Sequence, residues 1–143
     1  MVDGTHGRKW HTDENNNIAF SFLIKADCNI DRLKGLTIEI AEVLVGIFKD
    51  LYNIELNIKS PNDIFVNGKK VGGILTESKS QGNIVKYIIV GIGMNLNQIE
   101  FDEDIKDIAT SIKKEFGIEV DRYKVISEFC NVMENKIIER KVI

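Results

Sequence analysis

Three segments of this 143-residue chain set charged side chains among glycines or amides in a way that packing alone does not require. The first is Gly4-Thr5-His6-Gly7-Arg8-Lys9-Trp10. Its glycines let backbone N–H groups approach an anion, Arg8 offers a two-pronged donor suited to phosphate, and Trp10 offers a flat face for a purine. The second is Lys59-Ser60-Pro61-Asn62-Asp63. Pro61 fixes its own φ and biases Ser60 to an extended form, so Asn62 and Asp63 are held stiffly at a strand corner beside Lys59. A cation, an amide and a carboxylate placed so can hold a polyphosphate with its magnesium. The third is Lys69-Lys70-Val71-Gly72-Gly73-Ile74-Leu75. On a strand, Lys69 and Lys70 point to opposite faces, and paired glycines in a strand interior mark the close approach of a ligand or another backbone. Gly91-Ile92-Gly93-Met94-Asn95-Leu96-Asn97 repeats the theme.

Each segment also has a plain reading. The first can be a flexible loop, the second a salt-bridged turn rich in the usual turn residues, and the third an edge strand blunted by lysines. Neither a G-x-x-x-x-G-K-[ST] phosphate loop, an H-E-x-x-H nor a G-x-S-x-G occurs. His6 and His11 have no nucleophile pattern beside them, and Asp102-Glu103-Asp104 complements a helix start.

The elements that must position these segments follow from periodicity. Ile18 to Ile24 is a short apolar strand, and Asp3–Asn17 and Asp27–Lys34 read as irregular. Leu36, Ile40, Ala41, Leu44, Val45, Phe48, Leu51 and Tyr52 form one helical stripe. Ile54 to Lys59 alternates as a strand. Asn67-Gly68 between Ile64-Phe65-Val66 and Lys69-Lys70-Val71 predicts a two-residue hairpin, because both turn positions need φ > 0. The second hairpin strand runs from Lys70 to Glu77, Ser78 to Asn83 is a turn, and Ile84 to Ile92 is a third strand. Phe101 to Phe116 predicts an amphipathic helix stopped by Gly117. A last helix runs from Asp121, its N-cap, to Val142. The order predicts an α+β fold, a mostly antiparallel mixed sheet with helices packed on one face.

Composition bounds the function classes. With 43% hydrophobic and 29% charged residues the chain is a globular domain rather than a disordered one, and at this length it can bury about 70% of its unfolded surface. A net charge of −3 disfavours generic nucleic-acid binding. No apolar run approaches the roughly 18 residues of a membrane span. Met1-Val2-Asp3-Gly4 opens without a basic-then-apolar leader, and Cys28 and Cys130 have no C-x-x-C partner. A cytoplasmic protein with reduced thiols is the expectation.

Together and in order, the four segments resemble the catalytic domain of the biotin protein ligases (biotin–acetyl-CoA-carboxylase ligases). That family carries a Gly-rich loop ending G-R-x-W, then K-W-P-N-D, a lysine before G-G-I-L-x-E, and G-I-G-x-N-x-N. The matching residues run from Asp3 to about Asn97. The resemblance implies the class II synthetase-like fold of biotin and lipoate ligases and a two-step reaction. Biotin and ATP form biotinyl-5′-AMP, and a lysine of a biotin carboxyl carrier protein, as in acetyl-CoA carboxylase, then takes the biotin.

By the same resemblance Lys70 meets the biotin carboxylate and adjoining phosphate, and Arg8 joins it as a catalytic residue. Gly4, Thr5, Gly7 and Arg8 fold over the adenylate, Trp10 packs on adenine, and Lys59, Gly72 and Gly73 line the site. Asn62 and Asp63 place phosphates and Mg²⁺, and Asn95 meets the nucleotide end. Ser60 stands where the family usually has Trp, and Asp3 and Thr5 where many members have arginines. Residues 1–143 are expected to be a catalytic-domain fragment, without the family's preceding biotin-contacting segment and following small β-barrel. No DNA or membrane partner is expected, and an uncovered sheet edge invites a homodimer. A lipoate protein ligase and a catalytically incomplete remnant that binds nucleotide or a protein partner are the alternatives.

Overall fold

The computed structural model describes residues 16–59 and 62–143, together with the backbone of 2–3 and 9–10. Two short strands, β1 (Val2–Asp3) and β2 (Lys9–Trp10), pair antiparallel within the stretch expected to be irregular. The main sheet has five antiparallel strands in the order β3-β7-β6-β5-β4. These are β3 (Ile18–Asn29), β4 (Asn57–Lys59), β5 (Asp63–Val66), β6 (Lys69–Gln81) and β7 (Ile84–Met94).

The Asn67-Gly68 hairpin forms as predicted, with φ of 50° and 78°. The β6–β7 turn is only Gly82-Asn83, so Ser78 to Gln81 belong to the strand rather than to a turn. Their polar composition reflects exposure, since this end of β6 stands clear of the core. Similarly, β3 continues past Ile24 to Asn29 through a bulge between Lys25 and Cys28, and a single 3-10 turn over Ile30–Leu33 follows. β4 starts at Asn57, although Ile54 and Leu56 before it are buried.

Helices α1 (Leu36–Tyr52) and α3 (Arg122–Arg140) form the second layer. The α1 stripe buries Leu36, Ile40, Ala41, Leu44, Ile47 and Phe48, and Asn53 ends the helix in the left-handed region. Asp121 caps α3 by accepting the amides of Tyr123 and Lys124. From α3, Phe129 sets its ring against Phe20 and Phe22 of β3 at 5.7 and 5.8 Å between centroids. Such a fully buried side chain contributes about 1.5–3 kcal/mol.

The segment expected to be one helix over 101–116 is different. Residues 103–108 form turns, Ala109 makes a parallel bridge to Lys70, and only α2 (Ile112–Phe116) is helical. The Lys70 N–H donates to the Ile108 carbonyl at 2.8 Å, and the Thr110 N–H donates to the Lys70 carbonyl at 2.9 Å. Those sheet-type bonds take the backbone groups that a continuous helix would need. Ser111 then restarts the helix by accepting the Lys114 amide. Among the described residues, no helix is long and apolar enough to cross a membrane, and both cysteines are free.

Candidate functional site

The helices cover one face of the sheet. The register aligns the other face in rows: Asp63, Gly73, Gly93 and Ala19, then Leu75, Gly91 and Ser21, then Glu77, Ile89 and Leu23. Ala19, Ser21, Leu23, Leu75 and Glu77 are exposed. Glycines therefore pave the part of this face next to Asp63.

A bulge delivers Lys70 to that floor. Ile64 pairs with Gly72 but Phe65 pairs with Lys70, which leaves Val71 as the extra residue. Val71 and Gly72 are both buried, so the usual alternation breaks there. Lys70 consequently shares a side with Gly73, three positions on. Its Nζ lies 3.0 Å from Asp63 Oδ1, with the two side chains 19% and 26% exposed. A methyl group at Gly73 would sit 3.4 Å from Lys70 Cε, 3.5 Å from Nζ and 3.6 Å from Asp63 Oδ1. Gly73 is thus the bare floor beneath the ion pair. Gly72 has another role: a Cβ there would stand 2.2 Å from Met94 Sδ and 2.8 Å from the Gly93 carbonyl oxygen. Its bareness serves packing.

Lys59 pairs with Asp63 across β4 and β5, and its ammonium lies 4.9 Å from the centre of the Phe65 ring. Asn62 accepts the Ile74 amide through its carbonyl and so fixes the corner to β6. Lys59, Asn62, Asp63, Lys70 and Gly73 are therefore brought together. Asn95 lies behind them. Its side-chain amide donates to the Thr110 carbonyl at 3.1 Å, and its backbone bonds Val71 and Ile112. In this position Asn95 ties the 110–112 segment to β6. Gly4, Thr5, His6, Gly7, Arg8, His11, Ser60 and Pro61 lie outside the described residues, and of Trp10 only its backbone place in β2 is described.

Several contributors are not singled out by the sequence. The Glu115 carboxylate accepts from Asn67 Nδ2 at 2.8 Å and from the Thr110 hydroxyl. Those bonds, Asn67's first, hold its carboxyl below the usual carboxylate range, with Lys69 and Lys114 assisting against partial burial. Asn97, inside the quoted Gly-Asn motif, bonds both the N–H and the C=O of Val120. Asn17 accepts the Leu96 amide and donates to Gln98. An amide repeated beside a strand end was the available signal for these. Nothing local marks Glu115: Thr110 lies five positions before it, but Asn67 lies 48 positions away.

A face with an ammonium, a carboxylate and bare backbone can neutralise and orient anionic oxygens. Among the described residues, no three His, Cys, Asp or Glu side chains cluster as a metal cage would require.

Comparison with known proteins shows which family carries this face. The sequence model of the biotin/lipoate A/B protein ligase family matches residues 3–95, most of the chain. The chain belongs to this family. The match takes in the bulged β6, with Lys70 and Gly73, and the corner bearing Asp63. The bifunctional ligase/repressor BirA of Bacillus subtilis (strain 168) is 36% identical over 135 residues, covering 93% of this chain and 42% of that protein. The biotin–[acetyl-CoA-carboxylase] ligase of Mycobacterium tuberculosis is 26% identical over 141 residues, covering 95% of this chain and 50% of that one. Among solved structures, the biotin protein ligase from Aquifex aeolicus in complex with biotin and ATP superposes with a TM-score of 0.77 at 31% identity. That alignment covers 94% of this chain and 55% of the Aquifex chain. The chain thus spans about half the length, or less, of these family members, and it shares their α+β fold.

Proposed function

We propose that this chain supplies the catalytic-domain chemistry of a biotin protein ligase. The carrying observation is the Lys70 ammonium, 3.0 Å from Asp63 and seated over Gly73 on an open sheet face of a ligase-family chain.

In the first step a biotin carboxylate oxygen attacks the α-phosphorus of ATP. A P–O bond forms, the bond to the β-phosphate oxygen breaks, and biotinyl-5′-AMP and pyrophosphate result. Two anions must be pressed together, so positioning and charge neutralisation dominate the barrier. Lys70 meets both anions and offsets the charge as they approach. Asp63 holds the ammonium until the anions arrive. Gly73 leaves room for them, Gly72 lets β6 lie close to β7, and Asn62, with Lys59 beside it, places the outer phosphates. Arg8, with Gly4, Thr5 and Gly7, closes over the adenylate, and Trp10 packs on the adenine. Asn95 fixes the segment that borders the nucleotide end.

Magnesium belongs to this reading as the companion of ATP. The Asp63 carboxylate, with the Asn62 amide oxygen, suits a hard cation that takes its remaining ligands from phosphates and water. In the second step, a lysine amine of a biotin carboxyl carrier domain attacks the acyl carbon of the mixed anhydride. An amide forms, AMP leaves, and the amine's proton is released. Free Cys28 and Cys130 fit a cytoplasmic setting. The short outer strand β4 provides an edge for a homodimer.

ATP–pyrophosphate exchange tests the reading. Exchange should require biotin, should not be supported by lipoate, and should fall about 10²–10³-fold in Lys70→Ala. Exchange that is indifferent to biotin, or undiminished in the variant, contradicts it.

A further inference from the structure

A ring of hydrogen bonds passes through the backbone of Lys70 and closes on a carboxylate that the chemistry above does not use. The Thr110 N–H donates to the Lys70 carbonyl at 2.9 Å, and the Lys70 N–H donates to the Ile108 carbonyl at 2.8 Å. The Thr110 hydroxyl donates to Glu115 Oε2. The other oxygen of Glu115 accepts from Asn67 Nδ2 at 2.8 Å. Asn67 is the first residue of the hairpin turn, and Gly68 and Lys69 lead directly back to Lys70. The Thr110 carbonyl is taken by Asn95 Nδ2 at 3.1 Å, so all three polar groups of this fully buried threonine are engaged.

The strand needs such support at this point. Pairing of β6 with β7 ends at Gly72 and Met94, and the bulge at Val71 interrupts pairing with β5. Lys70 pairs with Phe65 of β5, and on its other side, where β7 has ended, it meets only a one-residue parallel bridge. A single bridge between a bulged strand and an irregular segment can slip, and a slip would rotate the ammonium off Gly73.

We propose that Glu115 is a positioning residue: by binding Asn67 and Thr110 together it locks the 108–110 segment onto the Lys70 backbone and fixes where the ammonium sits. This rests on the ligase reading for its effect on rate, but the clamp itself has a readout independent of catalysis.

The experiment uses the full chain with Glu115→Ala, Glu115→Gln and Thr110→Val. Hydrogen exchange, resolved to single amides by NMR, reports on the clamp. In Glu115→Ala and Thr110→Val the amides of Lys70 and Thr110 should exchange at least about tenfold faster, while Val85, Ile88 and Val90 of β7 keep their protection. Biotin-dependent ATP–pyrophosphate exchange should lose about ten- to a hundredfold in kcat, with the KM values for biotin and ATP changed less than about twofold. Glu115→Gln keeps an acceptor oxygen and should recover most of the loss. Uniform loss of protection through β7 in all three variants shows a merely structural residue and overturns the proposal. So does an unchanged kcat in Glu115→Ala when Lys70 protection has fallen. A chain without biotin-dependent exchange overturns the ligase reading, and selective loss of Lys70 and Thr110 protection in the same samples still supports the clamp.

Discussion

Adjacent glycines on β6 give opposite predictions when each is changed to alanine. Neither occupies a left-handed backbone, so alanine is compatible with both conformations. At Gly72 the new methyl would stand 2.2 Å from Met94 Sδ and 2.8 Å from the Gly93 carbonyl oxygen. The thioether can swing, but it is fully buried, and the carbonyl belongs to the paired strand. Overpacking of this kind costs about 1–3 kcal/mol, or roughly 3–12 °C in Tm for a domain of this size. At Gly73 the nearest atoms are 3.4 Å or more away, which is ordinary contact. Reduced freedom of the unfolded chain contributes about 0.4–1 kcal/mol in favour of alanine, so Gly73→Ala should melt at or slightly above the parent temperature.

Function should follow the reverse order. The Gly73 methyl occupies the floor under Lys70 Nζ and Asp63 Oδ1 and displaces the arriving anions by about the radius of a methyl group. A shift of that size costs on the order of 10²-fold in rate. The assay pairs thermal unfolding by circular dichroism with biotin-dependent ATP–pyrophosphate exchange, run well below both melting temperatures. Unimpaired exchange in Gly73→Ala would refute the assignment of this floor to the reacting anions. An unchanged Tm in Gly72→Ala would refute the packing argument.

Two further predictions follow from the titratable groups. Hydrogen bonds to Asn67 and Thr110 depress the Glu115 carboxyl below its ordinary 4.5. Its contribution to stability is therefore present above that value and lost as pH falls through its lower folded value. Urea midpoints from pH 6 to about pH 3 should fall less steeply in Glu115→Gln than in the parent, and equal slopes would contradict the assignment. Burial pushes the Cys28 thiol up, while Cys130 is exposed. A disulfide reagent at pH 8 should therefore label one thiol quickly, at Cys130, and reach Cys28 only on unfolding. Rapid labelling at Cys28, mapped by mass spectrometry, would contradict the described burial.

The sequence was most readable where local rules suffice. Asn67-Gly68 can make little but a tight hairpin, and the stripe from Leu36 to Phe48 and the cap at Asp121 each depend on neighbours within a turn or two. The stretch from Phe101 to Phe116 has helical periodicity, yet Ile105, Ala109 and Ile112 are buried by a segment that runs beside Lys70. A partner some forty positions away overrides local preference. The site divides in the same way. The glycine pair announced a close approach, but only the register shows that Gly72 answers to Met94 and Gly73 to Lys70. Alternation alone does not put Lys70 on the Gly73 side; the unpaired Val71 does. Asn95 carried a motif, and the structure gives its side-chain amide to Thr110.

The most direct measurement is mass-spectrometric detection of biotinyl-5′-AMP after the chain is mixed with biotin, ATP and magnesium. The account predicts that the adenylate accumulates with the parent chain and is at least about a hundredfold scarcer with Lys70→Ala of equal Tm. Equal adenylate from both proteins would contradict it.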